Sequence, residues 1–244
     1  MSSIFNLRQA QIKALSQPSQ AQVREYPLTT LLLHPMQQQK LKLPGNYQIM
    51  KRCIDIGGGL LGLLILLLLI PFIALFILCE DRGPIFYKQE RIGLYGRPFQ
   101  TYKLRSMVIN ADIYLAQHPE LLQAWRRSGK LQNDPRITQI GKFLRRTSLD
   151  ELPQVLNVLR GDMSLVGPRA IQATEIVAFG ELGELRQMVK PGLTGLWQIS
   201  GRSHTTYEQR ALLDCTYVLE CSIALDLSIL IRTLPVVLHG EGAY

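Results

Sequence analysis

Hydrophobic and polar positions divide the chain into three segments. Residues 1–47 are polar and rich in glutamine, without a sustained apolar period, which predicts a flexible arm. From Ile56 to Cys79 no residue is charged, and this run is longer than the roughly 20 residues that a membrane-spanning helix needs. Residues 81–244 alternate between apolar and polar stretches. The sequence therefore predicts an arm over 1–47, a membrane segment over 48–80 and one domain over 81–244.

Two topologies fit the membrane segment. Pro71 lies inside the apolar run, where it removes a backbone hydrogen bond and favours a kink or break. Basic residues flank both ends, Lys51 and Arg52 before the run and Arg82 after it, so the positive-inside rule selects no side. A helix-break-helix that enters one leaflet and returns satisfies both flanks, and a straight span is the alternative. Asp55, one turn after Lys51, is predicted to pair with that lysine near the headgroups.

The domain mixes strand and helix patterns. The stretch "GPIFYKQERIGLYGRPFQTYKLRSM" has short aromatic-bearing runs between glycine and proline, which predicts a small β-hairpin region. Residues 108–127 have a partly amphipathic helical period, and "RITQIGKFLRR" and "DELPQVLNVLR" predict two short helices. "VKPGLTGLWQISGRS" is punctuated by glycine and proline and predicts a loop. The predicted fold class is α+β, mostly helical.

Composition narrows the class of partner. The formal net charge of +8 indicates an acidic partner, which is a nucleic acid, an anionic lipid or a phosphorylated substrate. Aromatic residues make up only 7% of the chain, and no RNP-like, zinc-finger or helix-turn-helix pattern is present, so we expect no nucleic acid. The four cysteines form no C-x-x-C pair and the four histidines have no ligand spacing, which favours a reduced, cytosol-facing protein without a zinc site.

The adjacent carboxylates Asp150 and Glu151 have two explanations. Ser148 followed by Glu151 fits a capping box, in which case the pair only starts a helix. A helix N-terminus also favours an ionised carboxylate and a bound phosphate. An ionised Asp150 can attack phosphorus, with Arg145 and Arg169 neutralising the phosphate oxygens. Magnesium, held by Asp150, Glu151 and substrate phosphates, would complete such a site. These residues alone leave both explanations open.

Five stretches in order carry a family resemblance. They are "KRCIDI", the proline-containing apolar run, "GPIFYKQERIGLYGRPFQTYKLRSM", "DPRITQIGKFLRRTSLDELPQVLNVLRGDMSLVGPR" and "VKPGLTGLWQISGRS". Together they span about residues 48–244 and resemble bacterial sugar transferases of the monotopic phosphoglycosyl transferase superfamily. One departure is Ala170, which stands where the family usually has a second proline after the Gly-Pro-Arg turn.

The resemblance implies an enzyme on the cytoplasmic face of the bacterial inner membrane. Such enzymes move a sugar-1-phosphate from a UDP-sugar to undecaprenyl phosphate and release UMP. The resemblance implies Asp150 as the nucleophile that forms a covalent phosphosugar intermediate, Glu151 as its assistant, and Mg²⁺ bridging the diphosphate. It also implies a re-entrant membrane helix broken at Pro71, followed by an interfacial catalytic domain.

The resemblance extends to substrate contacts, with less detail. Arg145 and Arg169 match basic positions that hold phosphate in the family, and Lys103, Arg105 and Arg202 are predicted to join this positive field. Residues 109–133 and the C-terminal end resemble the branch that transfers galactose- or glucose-phosphate, with an N-acetylated amino sugar as the alternative. A non-catalytic membrane scaffold is the competing class. The oligomeric state stays open, with a homodimer among the alternatives.

Overall fold

The structure, a computed structural model, describes residues 43–128, 131, 133–179, 182–201 and 205–239. Most of the predicted arm, and Arg202, lie outside the described residues. The elements, in chain order, are α1 (Gly45–Glu80), β1 (Phe86–Ile92), β2 (Pro98–Leu104), α2 (Ala111–Gln117), α3 (Pro119–Ser128), α4 (Gln139–Arg146), α5 (Val155–Arg160), β3 (Ser164–Val166), α6 (Leu182–Arg186), β4 (Gly192–Thr194), α7 (Tyr207–Glu220) and α8 (Ile223–His239). Short 3-10 segments are found at Leu94–Gly96, Leu149–Gln154 and Ala173–Phe179. The described part is mostly helical, as predicted.

The predicted β-hairpin is confirmed, and a second pair of strands accompanies it. β1 and β2 pair antiparallel from Phe86 opposite Leu104 to Ile92 opposite Pro98. β3 and β4 pair parallel through only two register positions. The sequence predicted a loop at β4 because a three-residue strand next to a Pro-Gly pair is too short to show alternation.

Helix α1 is one continuous helix of 36 residues, about 54 Å long at 1.5 Å per residue. By length and composition alone it is able to cross a membrane. The helix continues through Pro71, so the predicted break in the helix is not observed. An internal proline removes only its own N–H donor, and the remaining backbone hydrogen bonds of a long helix are sufficient to keep it helical.

One face of α1 is buried along nearly the whole helix. The buried residues recur at intervals of three, four, seven and eight residues, as one helical face requires, and are Tyr47, Asp55, Gly59, Gly62, Leu66, Ile73 and Ile77. Near its middle the helix packs against α5, where glycines allow close approach. Towards its end it shares a core with Leu104 and Leu144. The opposite face exposes large apolar side chains, among them Leu60, Leu61, Leu64, Leu68, Phe72 and Phe76.

Both ends of α1 are attached to the domain by polar contacts. Lys51 Nζ lies 2.8 Å from Asp226 Oδ2 on α8. Asp55 Oδ1 instead accepts hydrogen bonds from Ser164 Oγ and the Leu165 amide, each at 2.9 Å. The predicted Lys51–Asp55 pair is therefore wrong, because each group has a partner from a distant element. At the other end Glu80 accepts from two backbone amides of the first turn of α4.

Candidate active site

A cavity of about 1350 Å³ brings the predicted site residues together. Its walls come from β2, α4, the 3-10 segment Leu149–Gln154, the turn after β3, the loop after β4 and the inner side of α8. The site residues that line it are Lys103, Arg105, Arg145, Asp150, Glu151 and Arg169. Carboxylates and cations that lie up to 66 positions apart in the chain thus share one polar cavity.

The two carboxylates lie on the 3-10 segment, but they do not form a capping box. Ser148 adopts a left-handed backbone conformation with φ of 57°, and its side chain makes no cap hydrogen bond. The Glu151 side chain reaches into the cavity instead of back to the Ser148 amide. The predicted capping box is therefore wrong, because Glu151 pairs with two cations that neighbouring elements supply.

Glu151 is fixed between Lys103 and Arg169. Its Oε1 atom lies 2.8 Å from Lys103 Nζ and 2.6 Å from Arg169 Nη2, while Oε2 accepts from Arg169 Nη1 at 3.2 Å. Burial acts to raise the pKa of Glu151, but the charges of Arg169 and Lys103 outweigh it and hold the pKa well below its usual range. Glu151 is thus a permanent anion that positions both cations.

Asp150 differs from its neighbour because no described residue donates a hydrogen bond to its carboxylate. The residue is 8% exposed. Burial, and next the charge of Glu151, raise the pKa of Asp150 to about 6, against the opposing influence of Lys103, Arg145 and Arg169. We expected the helix start to favour the ionised form, and burial outweighs that effect. The group is still mostly ionised at pH 7 and above, with its oxygens uncommitted.

The predicted phosphate-binding arginines separate into two groups. Arg145 Nε donates to Ser106 Oγ at 2.9 Å, which orients the guanidinium beside Asp150. Arg105 donates to the Asp81 carboxylate at 2.6 Å, to the Asp81 carbonyl and to the Pro84 carbonyl. All three nitrogens of Arg105 are thus engaged in holding the chain that follows α1. This geometry does not support the phosphate-binding role predicted for Arg105, and it favours a structural one.

The turn that carries Arg169 is fixed by the parallel strands. The Gly167 amide donates to the Thr194 carbonyl at 2.9 Å, and the Gly192 amide donates to the Pro168 carbonyl at 2.8 Å. A Cβ atom on Gly167 would lie 2.5 Å from the Lys190 carbonyl oxygen, so only glycine permits this approach. The backbone of Arg169 is therefore rigid, and its side chain projects to Glu151.

The donor set fits a magnesium ion that arrives with phosphates. Among the described residues, no group of three or more His, Cys, Asp or Glu is arranged to hold a metal. Mg²⁺ commonly uses one or two carboxylates together with substrate phosphate oxygens. Asp150 offers uncommitted oxygens, and Glu151 adjoins it with oxygens that already accept from cations. These two residues fit an ion that a ligand's phosphate oxygens also coordinate.

Sequence reasoning missed three buried polar residues beside the Arg169 turn, namely Arg186, Gln198 and Asp214. Arg186 Nη2 lies 2.6 Å from Asp214 Oδ2 and donates to the Arg169 carbonyl at 2.8 Å. For Gln198 the sequence did contain a signal, because this glutamine lies between Trp197 and an isoleucine inside the glycine-punctuated loop. Arg186 and Asp214 lie on ordinary helical stretches and gave no signal.

A profile of the bacterial sugar transferase family matches residues 46–240. The chain belongs to this family. The resemblance seen in the sequence is thereby confirmed over almost the entire described part of the chain.

Three relatives of this bacterial sugar transferase carry functional names. This chain is 44% identical to the UDP-galactose-lipid carrier transferase of Erwinia amylovora, and the match covers 81% of this chain and 42% of that protein. This chain is 41% identical to the UDP-glucose:undecaprenyl-phosphate glucose-1-phosphate transferase of Escherichia coli, and the match covers 83% of this chain and 43% of that protein. This chain is 39% identical to the exopolysaccharide production protein ExoY of Sinorhizobium fredii, and the match covers 88% of this chain and 96% of that protein. The chain thus spans less than half of the first two relatives and nearly all of the third.

Proposed function

We propose that this protein transfers a hexose-1-phosphate from a UDP-sugar to undecaprenyl phosphate, releasing UMP and starting exopolysaccharide synthesis. One observation carries the proposal. The Asp150 carboxylate is buried, has no hydrogen-bond donor among the described residues and lies in the same cavity as Arg145 and Arg169. An uncommitted anion beside several cations is what a nucleophile for a phosphate ester requires.

The first step forms an enzyme intermediate. An oxygen of the ionised Asp150 attacks the phosphorus that bears the sugar, and the bond from that phosphorus to the oxygen of UMP breaks. UMP leaves with the bonding electrons, and Asp150 carries the phosphosugar as an acyl phosphate. Arg169 and Arg145 stabilise the negative charge on the phosphate oxygens in this step. Glu151 holds Arg169 and Lys103 in place.

The second step regenerates the enzyme. A phosphate oxygen of undecaprenyl phosphate attacks the phosphorus of the intermediate, and the acyl-phosphate bond breaks. The product is undecaprenyl-diphosphate-hexose, and Asp150 returns as a carboxylate. Asp150 and Glu151 would hold a magnesium ion together with the substrate diphosphate, and such an ion supplies positive charge that neutralises the phosphate oxygens.

The relatives' names support the substrate class. One is named for UDP-galactose and a lipid carrier, and another for UDP-glucose and undecaprenyl phosphate. A third is named for exopolysaccharide production. These names favour galactose or glucose as the sugar and exopolysaccharide as the final product.

We also propose that α1 enters the membrane and returns to the cytoplasmic face, with the catalytic domain on that face. Its buried stripe and its polar contacts at Lys51 and Glu80 support this arrangement, because one domain holds both ends of the helix. A straight span would require the domain to have surfaces on both sides of a hydrocarbon core about 30 Å thick. Pro71 marks where the helix would bend within the lipid.

The decisive test is Asp150→Ala in native membranes supplied with UDP-galactose or UDP-glucose, undecaprenyl phosphate and Mg²⁺. We expect UMP release to fall by at least about a thousandfold, while the protein still sediments with membranes. Asp162→Ala is the matched control, because Asp162 is exposed on the turn after α5 and does not line the cavity. UMP release near the wild-type rate from Asp150→Ala rules out the nucleophile, and a wild type inactive with every UDP-sugar rules out the function.

A further inference from the structure

A second polar group lies beside the Arg169 turn and has no role in the two steps above. In the described part of the chain, four buried side-chain atoms lack a hydrogen-bond partner. They are Arg186 Nη1, Gln198 Nε2, Gln198 Oε1 and Asp214 Oδ1. The three residues are at most 8% exposed, and Arg186 and Gln198 line the large cavity. A buried polar group without a partner destabilises a fold, so these atoms need a partner that the described residues do not supply, which is a ligand group or a water.

The backbone brings these atoms to the phosphate-binding turn. A Cβ atom on Gly195 would contact the Gly167 carbonyl and lie 2.7 Å from Gln198 Oε1. Glycine at this position therefore lets the Gln198 amide lie next to the turn that carries Arg169. From the other side, Arg186 Nη2 donates to the Arg169 carbonyl at 2.8 Å. Gln198 thus lies beside the backbone of the turn that carries Arg169, and both residues line the same cavity.

The chemistry of the surroundings distinguishes a sugar from a nucleobase. Bases are bound largely by stacking on a free aromatic face. Here three of the aromatic rings that line the cavity each have a cation over one face. The Arg186 guanidinium lies 4.2 Å from the centre of the Phe179 ring, and that of Arg210 lies 4.8 Å from Trp197 and 5.3 Å from Tyr207. What is available is an amide and a guanidinium, which suit hydroxyl groups.

We propose that the Gln198 amide binds hydroxyl groups of the hexose whose phosphate is transferred, an assignment that rests on the function proposed above. The amide donates through Nε2 and accepts through Oε1, and a hydroxyl group does both. Gln198 thereby positions the sugar while Arg169 holds the phosphate attached to it. A site that hydrogen-bonds a hydroxyl rejects the analogue that lacks it.

The test uses Gln198→Met, which removes the amide at nearly constant volume, and monodeoxy analogues of the hexose donor that the wild type uses. We expect the wild type to prefer the full hexose over at least one deoxy analogue by about tenfold or more in kcat/KM. In Gln198→Met the ratio of kcat/KM for the full hexose to kcat/KM for that deoxy analogue falls to about one, while inhibition by UMP stays unchanged. If Gln198→Met still prefers the full hexose over the deoxy analogue, the proposal is overturned. It is also overturned if Gln198→Met loses inhibition by UMP to the same extent as the hexose preference, because that result would assign the amide to the nucleotide.

A stability measurement separates this role from a structural one. Because no described residue partners the amide, Gln198→Met is expected to raise the midpoint of thermal unfolding by about 2–4 °C. A structural amide would give a lower midpoint, which contradicts the proposal. Gln187→Ala is the matched control, since the Gln187 amide already donates to the Gly183 carbonyl at 3.1 Å and does not line the large cavity. It should keep the deoxy preference of the wild type.

The two proposals fail separately. A wild type that releases no UMP from any hexose donor contradicts the proposed function itself. An active wild type whose deoxy preference persists in Gln198→Met contradicts only the assignment of the sugar subsite.

Discussion

The adjacent carboxyl groups of Asp150 and Glu151 have opposite protonation properties. Burial and the neighbouring charge raise the pKa of Asp150 to about 6. For Glu151 burial acts in the same direction, but Arg169 and Lys103 keep its pKa well below the usual range. Lys103 and Arg169 are therefore paired with Glu151, whereas no described residue donates a hydrogen bond to the Asp150 carboxylate. This division of roles suits a nucleophile next to a permanent anion.

The pH profile of kcat/KM tests this division. A nucleophilic carboxylate must be ionised, and a raised pKa means that the ionised form is lost as pH falls through the raised value. We therefore expect full activity above about pH 7 and an acid limb near pH 6, with about a tenfold fall per unit below it. Lys103→Met should move the limb to higher pH, because Lys103 is the strongest of the charges that lower the pKa of Asp150. Rates of UMP release measured from acid to neutral pH check both the wild-type limb and its shift in Lys103→Met. An acid limb near pH 4 in the wild type contradicts the raised pKa of Asp150.

Asp150, Glu151 and Arg169 were candidates because they lie within one short stretch of sequence, but those residues alone did not decide between a helix cap and a phosphate site. Contacts between elements that lie far apart in the chain could not be predicted from the local sequence pattern. Lys51 pairs with Asp226, 175 positions away, in preference to a neighbour one helical turn along. Long-range packing decides such pairings, and a period along one helix carries no information about the facing element.

The contact between α1 and α5 depends on glycines that admit neighbouring side chains. A Cβ atom on Gly62 would lie 2.6 Å from Val155 Cγ1, and one on Gly59 would lie 2.8 Å from Leu159 Cδ2. Leu159 has a flexible end that is able to move, whereas Val155 is β-branched and stiff. The contact at Gly62 is therefore the more restrictive of the two.

This difference predicts the outcome of alanine substitutions along α1. Gly62→Ala should lower the free energy of unfolding by about 1–3 kcal/mol through overpacking, offset in part by the better helix propensity of alanine. Gly57→Ala is the control on the same helix, since a Cβ atom there meets nothing within 4 Å, and it should be neutral or stabilising. Thermal or denaturant unfolding in one detergent compares the two variants. Equal effects would show that the glycine contact is not a determinant of this packing.

Two of the predicted elements, the β-hairpin of β1 and β2 and the helix that ends at Arg146, are present in the structure. The predicted helix over 108–127 is instead two helices, α2 and α3, separated at His118. The residue before a proline disfavours the helical conformation, and Pro119 supplies that restriction. Periodicity alone did not show the break, because apolar positions continue on both sides of it.

At the scale of the whole molecule, apolar side chains of α8 line part of the cavity. The cavity that contains Asp150 reaches the inner side of α8, where Leu230, Leu234 and Val237 line it. Leu234 is also 65% exposed, so it lies at the mouth of the cavity. The exposed apolar side chains of α1 face outward from the same domain. Under the proposed function, a lipid phosphate would reach Asp150 past these apolar side chains of α8.

Such an approach requires both ends of α1 to lie on the catalytic side of the membrane, and labelling tests this requirement. In a variant without the native cysteines, Gln48→Cys and Arg82→Cys place single exposed thiols just inside the start and just beyond the end of the helix. A membrane-impermeant maleimide added to intact cells should label neither thiol, and it should label both after permeabilisation, because contacts at Lys51 and Glu80 tie both ends to one domain. A protein with a periplasmic cysteine in the same cells serves as the positive control. Labelling of one thiol from outside would establish a straight span, and the lipid substrate would then need another route to Asp150.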